Sequence, residues 1–461
     1  MRGSSMTDIG EYNERLVLHT IRSSPEGIGQ SDVVRRSGLS RQAVSLITRR
    51  LIAEGMIEQA GRRVSGPGKP HTLLRVVADA RLTIGVHLDP AHITVVVCDL
   101  AARPVARATL DPPTDDPQAD IARIAAKIDG LALSLGAAAP PSRPTAADAD
   151  IGAAGDAADA AAGGAAGTTG ALGAVGAEGG AGDPSPEGAE GTTDSAGGLA
   201  TRRRLLGIGI AAPAGLDATA GILRDPPWIP GWRDIPIVEQ LSAATGLPAV
   251  LGKDTNAALT GEIWSRHLES SQTVLYMYVG HGVGSAISAN GAVHRGGTTQ
   301  AGEIGHLPIG RGDDACNCGR YGCLCLYTDA PVLVRSARQA GVPVPDEAGM
   351  TAAIDALAAE AERGSEPAQE ILAGHGRALG EAIRILAGIH DPQRIIIGGP
   401  TWPALRALAE QPAHAQVSQW LEGAHATMES SHLGDDIGAI GAACLFLDQE
   451  LAPGSSTNGS L

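Results

Sequence analysis

Residues 136–200 place the first constraint on any fold this chain can adopt. They consist almost wholly of Ala, Gly, Pro, Ser, Thr, Asp and Glu, with nine acids, one arginine and no aromatic residue. A segment of this composition buries too little apolar surface to offset its ordering entropy. It reads as a low-complexity disordered insertion. The flanking sequence continues a single pattern. Two strand signals are followed by a helix over about 117–135, and the next strand, LLGIGIAAP, begins only at residue 205. The insertion therefore interrupts a domain and does not separate two.

Residues 12–77 have a different character. YNERLVLHTIRSS places Leu16, Val17, His19, Thr20 and Ile21 at helical spacing, SDVVRRSG opens on a Ser/Asp cap, and SRQAVSLITRRLIAEG is opened by Ser40 and closed by Gly55. A short helix, a Gly38-Leu39-Ser40 turn and a longer Arg-bearing helix predict a helix-turn-helix. The basic hairpin QAGRRVSGPGKPHTLLRV behind it predicts a wing.

The chain carries 35 Lys/Arg against 51 Asp/Glu, a net charge of −16 that by itself would repel phosphate. Between Arg35 and Arg75, however, nine basic residues meet only two acids, Glu54 and Glu58. A basic module on an acidic body points to double-stranded DNA as a partner. Ser40, Arg41, Gln42 and Ser45 open the second helix of the motif, where side chains reach base edges, and Arg49 and Arg50 follow a turn or two later. Ala43, Val44, Ile47 and Leu51 have the spacing of its buried face. Arg62, Arg63 and Lys69 of the wing are expected on the DNA backbone or in the minor groove.

From Thr83 the pattern becomes that of strands: LTIGVHL, then ITVVVCDL across the turn Asp89-Pro90-Ala91-His92. After the insertion come LLGIGIAAP, the helix IPIVEQLSAATG, the strand PAVLG, the helix NAALTGEIWSRH, the strands TVLYMYVG and GSAISAN, and later the buried strand RIIIGGP. This α/β alternation with Gly-rich turns at strand ends predicts a nucleotide- or sugar-binding fold with a cleft. No apolar run reaches the roughly 18–20 residues that span a bilayer, and MRGSSMTDIGEYNERL lacks the apolar core of a signal peptide. A cytoplasmic protein without a membrane partner is expected, with residues 1–11 and 448–461 as disordered ends. In a reducing compartment six cysteines, four of them between Cys316 and Cys325, argue for a metal site or reactive thiols and against a disulfide framework.

LGIGIAAPAGLD, LGKDTNAALTGE, YVGHGVGSAISANGAVHRGG, QAGEIGHLPIG, CNCGRYGC and RIIIGGP, in that order behind a winged helix, resemble the ROK family of bacterial repressors and sugar kinases. The resemblance runs from about residue 12 to 447, outside the insertion. It implies a winged helix-turn-helix over 12–77 and, over 82–447, a sensor of two α/β lobes with an actin-like ATPase (ribonuclease H-like) fold. It further implies a sugar site between the lobes, a structural zinc, and a homodimer or homotetramer. His306, Cys316, Cys318 and Cys323 match the zinc ligands of the family, and one imidazole with three thiols is a donor set that Zn2+ accepts in closed tetrahedral sites.

In sugar-phosphorylating members an Asn-Asp pair at a helix start binds the sugar, and the Asp serves as general base. Here the pair reads Lys253-Asp254, so Asp254 would be catalytic only in a kinase, and as a structural residue it would cap the helix that follows. Glu303 and His306 match two further sugar contacts. The family places another sugar-contacting Glu where this chain has Cys325, and a thiol cannot accept hydrogen bonds as a carboxylate does. The phosphate turn Asp-x-Gly-Gly-Thr of ATP-using members falls on His87 to Ala91. Pro90 removes a donor there, the glycines are lost and Asp89 adds negative charge. Gly280 to Gly284 and Gly398-Gly399 keep glycines that tight turns would also need.

ATP is therefore not expected, nor is an enzyme. The chain reads as a sequence-specific transcriptional regulator, a repressor binding operator DNA under the control of a sugar-like effector. The alternatives are an ATP-dependent hexose kinase and an effector-independent regulator with a degenerate sugar site.

Overall fold

The computed structural model describes residues 6–63, 71–138, 201–268, 271–310, 312, 314–345 and 349–453. The insertion from 139 to 200 and the wing tip at 64–70, with Lys69, lie outside the described residues. So do the side chains of Arg62 and Arg63.

The N-terminal unit comprises α1 (Met6–Arg22), β1 (Ile28–Gly29), α2 (Gln30–Ser37), α3 (Arg41–Ala53), β2 (Ile57–Arg63) and β3 (His71–Val76), with the strands ordered β1-β3-β2. Gly38 closes α2 in the left-handed conformation, and Ser40 caps α3 by accepting the Ala43 N–H at 3.2 Å. These two residues fix the turn between the helices. Val17, Ile21, Val33, Val44, Ile47 and Leu51 fill the space beneath, while Ala43, expected with them, is only half-buried. The helix α1 begins at Met6, so residues 6–11 belong to it and not to a disordered end.

The first lobe carries β4 (Leu82–Leu88), β5 (Ile93–Asp99), β6 (Pro104–Leu110), α4 (Pro117–Ala138), β7 (Leu205–Ala212), β8 (Leu216–Asp217), β9 (Ile222–Leu223), α5 (Ile237–Thr245) and β10 (Ala249–Lys253). Its sheet runs β10-β7-β4-β5-β6, with β4, β5 and β6 an antiparallel meander and β7 and β10 parallel additions. The two central strands β4 and β5 are buried along their whole length. The strand β6 was not anticipated. It begins on a proline and exposes alternate residues, as an edge strand can, and PVARATL carries too little apolar character to announce itself. The helix α4 reaches Ala138, past the expected start of the insertion at 136.

The second lobe follows as α6 (Asp254–Arg266), β11 (Val274–Val279), β12 (Val283–Ala289), β13 (Ala292–Val293), α7 (Cys325–Thr328), α8 (Ala330–Gln339), α9 (Gly349–Glu362), α10 (Glu366–His390), β14 (Arg394–Gly398), α11 (Trp402–Ala424), β15 (Thr427–Ser430) and α12 (Ile437–Leu451). Its sheet is ordered β13-β12-β11-β14-β15. The closing helix α12 returns to the first lobe and packs so closely that a Cβ at Gly85 or Gly209 would overlap its backbone at Ala439 or Ala442. It extends to Leu451, beyond the expected boundary at 447, so residues 448–451 are helical.

The winged helix and the body share one core. Val17 and Ile21 of α1 pack in a cluster with Val96, Cys98, Trp264, Ala439 and Leu447. At its edge Arg22 is 8% exposed, its guanidinium lies 3.8 Å from the centre of the Trp264 ring, and Nη1 donates to the Trp264 carbonyl at 2.9 Å. Burial lowers the Arg22 pKa to about 10. A cation held over an indole face retains part of the stabilisation lost with its water.

Candidate functional site

Three chain turns converge at the C-terminal ends of β4, β10 and β11. They are the β4–β5 turn with Asp89 and Pro90, the start of α6 with Asp254 and Thr255, and the β11–β12 turn with His281 and Gly282. With Glu303 and Trp228 they line a small cleft of about 90 Å3, open to solvent. Cβ-less Gly284 lets β12 approach Thr255.

Asp254 lies one residue inside α6, and the cap position is held by Lys253, so its carboxylate is not the helix cap. Oδ1 accepts the Thr255 N–H at 2.6 Å. Burial raises the carboxyl to about 7, against the opposing pull of Lys253. Lys253 itself is 1% exposed; its Nζ lies 2.6 Å from Glu303 Oε1 and donates to the Ala301 carbonyl at 3.0 Å. An ammonium thus engages one of the two carboxylates expected to meet a sugar. Thr255 Oγ1 is buried without a hydrogen-bond partner among the described residues.

Two residues, one lining the cleft and one behind its β11–β12 turn, carried no signal in the sequence reading. Trp228 is held at φ 69° and is 54% exposed, its ring 4.8 Å from that of His281 at the cleft mouth. Positive φ is uncommon for a bulky residue and marks a position imposed by its surroundings. Asp329, at the entry to α8, accepts the Val283 N–H and is raised to about 7 by burial, with His306 opposing. The Ala330 N–H donates to the His281 carbonyl at 2.9 Å. This joint ties the β11–β12 turn to the cysteine loop. Only tertiary packing brings residues 283, 306 and 329 together.

The phosphate-loop positions are occupied by internal bonds. Asp89 Oδ1 accepts the Ala91 N–H at 2.8 Å, an amide that a phosphate would otherwise need. His87 is buried, which lowers its pKa, and its Nε2 lies 3.4 Å from the Tyr278 hydroxyl. The Gly398-Gly399 pair passes so close to Tyr276, Ser431 and the β11 backbone that any side chain would clash, which accounts for both glycines without a ligand.

Outside the cleft, His306, Cys316, Cys318 and Cys323 bring their ligand atoms within 4.8 Å of one another. Nδ1 of His306 lies 3.4 Å from Cys316 Sγ, and the Cys318 and Cys323 sulfurs are 3.6 Å apart. The Cys318 N–H and neighbouring thiols lower the Cys316 pKa to about 6, whereas burial raises Cys323 to about 12. Three thiols and one imidazole at these spacings fit a tetrahedral zinc, whose binding would deprotonate all three. His306 and Cys325, both expected at the sugar, do not line the cleft. They belong to the cysteine loop.

On the winged helix, Arg41, Gln42, Arg49 and Arg50 are exposed on α3, and Ser45 is half-exposed. Arg50 is paired with Glu14 of α1. Leu46 stands 65% exposed among them, an apolar side chain the sequence reading did not assign.

Fold and site together define a winged-helix protein with a two-lobed, actin-like body. Residues 198–449 match the ROK family, and the chain belongs to it. Over 260 residues it is 32% identical to a glucokinase of Halalkalibacterium halodurans, covering 53% of this chain and 77% of that protein. It is 26% identical to the DNA-binding transcriptional repressor Mlc of Escherichia coli, over 56% of this chain and 63% of the repressor. The solved structure of a ROK family transcriptional regulator, a homologue of the Escherichia coli Mlc protein, superposes over 97% of this chain and 98% of its own with a TM-score of 0.68 at 20% identity. The family thus contains both sugar kinases and repressors. No helix among the described residues is long and apolar enough to cross a membrane.

Proposed function

We propose that this protein is a cytoplasmic, operator-binding transcriptional repressor whose two-lobed body controls DNA affinity and whose cysteine loop is held by a structural zinc. One observation carries the reading: a capped helix α3 presents Arg41, Gln42 and Arg49 outward on a unit whose core is continuous with the body. In this reading α3 lies in the major groove, with Ser40, Arg41, Gln42 and Ser45 nearest the bases and Arg49 and Arg50 nearer the backbone. Arg62, Arg63 and Lys69 extend the contact through the wing. A homodimer or homotetramer sets two such helices about 34 Å apart on a near-palindromic site.

The helix α6 is the link between sensing and binding. Asp254 at its start faces the cleft, and Trp264 near its end holds Arg22 of the winged helix. Its 13 residues span about 20 Å. Effector and operator then weaken each other by the same factor. The Asp89–Ala91 bond argues against phosphoryl transfer. Mobility-shift assays on the protein's own promoter region test the proposal. Saturable, sequence-preferring binding is expected, and uniform binding to any duplex at moderate salt would sink it.

The Lys253–Glu303 pair favours a second reading, in which the cleft accepts no ordinary hexose and the repressor works without one. Lys253 is buried although Glu303 is 45% exposed, so a neutral sugar that displaces the carboxylate must leave the buried ammonium another acceptor. Calorimetric titration with a hexose panel separates the two: heat saturating at one site per chain supports an inducible repressor, and no heat supports the effector-independent one.

A further inference from the structure

The cysteine loop holds more donors than a four-coordinate ion needs. Cys325 opens α7, and its N–H donates to the Gly305 carbonyl at 2.8 Å, which fixes it beside His306. Its Sγ lies 3.8 Å from Cys316 Sγ and 3.7 Å from His306 Nδ1. With metal–sulfur bonds of about 2.3 Å, two ligands of a tetrahedral zinc are about 3.8 Å apart. Cys325 therefore stands at ligand-to-ligand distance from two members of the set, on the side of the site occupied by the imidazole.

We propose that Cys325 is an alternative metal ligand that replaces His306, converting a three-thiolate, one-imidazole site into a four-thiolate site with Cys316, Cys318 and Cys323, and that both forms are populated. In the exchange the Sγ–metal bond forms as the Cys325 thiol releases its proton to solvent. The Nδ1–metal bond breaks, and the imidazole leaves neutral. The backbone around Cys316 and Cys323 is fixed by bonds of its own. The Cys316 N–H is bonded to the Arg320 carbonyl at 2.8 Å and the Gly319 N–H to the Cys316 carbonyl at 2.9 Å, while Pro308 bridges to Cys323.

The four-thiolate form carries one more negative charge. Arg320, whose Nη1 donates to the His306 carbonyl at 3.3 Å, favours it. Asp329, whose charge acts on both His306 and Cys325, opposes it. Arg320 and Asp329 thus bias the exchange in opposite directions. Asp329 also ties this loop to the β11–β12 turn by accepting the Val283 N–H. The inference concerns the cysteine loop alone and stands whether or not the cleft binds a sugar.

Cobalt(II) in place of zinc reports thiolate number through its sulfur-to-metal charge-transfer intensity and tetrahedral geometry through its visible bands. The full-length chain is compared with His306→Ala, Cys325→Ser and the double variant. His306→Ala is expected to keep tetrahedral cobalt at four-thiolate intensity, above the three-thiolate level of Cys325→Ser. The double variant loses the tetrahedral bands and binds cobalt more than about tenfold more weakly, since losing a ligand costs at least as much as losing its supporting partner. Identical behaviour of His306→Ala and the double variant overturns the proposal. The unmutated chain offers a check that does not depend on His306→Ala folding: its charge-transfer intensity exceeds that of Cys325→Ser, and equal intensities overturn the proposal as well.

Discussion

Lys253 and Asp254 decide what the cleft offers a ligand. The sequence shows which side chains stand at the start of α6, but not that the ammonium folds back onto Glu303 and the Ala301 carbonyl. Asp254 makes the site sensitive to pH. Its folded value of about 7 lies above the 3.8 of a free carboxyl. Its contribution to stability is therefore complete below about pH 4 and is lost as pH rises through 7. Asp254→Asn, neutral throughout, is expected to melt progressively above the wild type as pH rises from about 4 to 7. A gap that stays constant over that range would mean that the carboxyl titrates normally. Trp228 supplies a second test at this scale. Trp228→Ala removes the ring from His281 at the cleft mouth, and any ligand that saturates the wild-type cleft in calorimetry should bind about tenfold more weakly to the variant, as expected for loss of an aromatic contact worth about 1 kcal/mol or more.

Helices were legible where caps and periodicity agreed, as in α3. Ser40→Ala leaves the Ala43 N–H unsatisfied and should cost about 1 kcal/mol of unfolding free energy in urea titration. Arg41→Ala should lower operator affinity in the mobility-shift assay. A loss of about 1–3 kcal/mol confined to one base position marks a base contact, and a uniform loss with a shallower salt slope marks a phosphate contact. Edge elements were not legible. The strand β6 alternates half-buried with exposed residues, and β15 is short and nowhere fully buried. Pairing within a sheet, and not local apolar content, makes them strands. The cysteine loop is the opposite case. Its donors were plain in the sequence while its fold was not, because isolated bridges and turns replace regular structure there. Removing the metal with a chelator should accelerate amide exchange first over residues 306–325, and next in the β11–β12 turn tied to it through Asp329.

The shared core of α1, β5, α6 and α12 makes the winged helix part of the body's folding unit. Calorimetry of the wild type should accordingly show the winged helix melting with the first lobe. Arg22→Ala removes the cation from the Trp264 ring and leaves that carbonyl without its donor. A separate, earlier transition of the winged helix is expected, at a cost of about 2–3 kcal/mol. Unchanged melting would show that the apolar contacts alone join the two units. Sequence by itself determined the caps, the strand periods, the basic face of α3 and the kinds of donor in the cysteine loop, because each of these depends on residues a few positions apart. Tertiary structure alone decided which distant groups meet: Lys253 with Glu303, Asp329 with the Val283 amide, and Arg22 with Trp264, 242 positions along the chain. Those meetings follow from sheet order and from helices packed to bury their apolar faces, a global balance that no local spacing encodes.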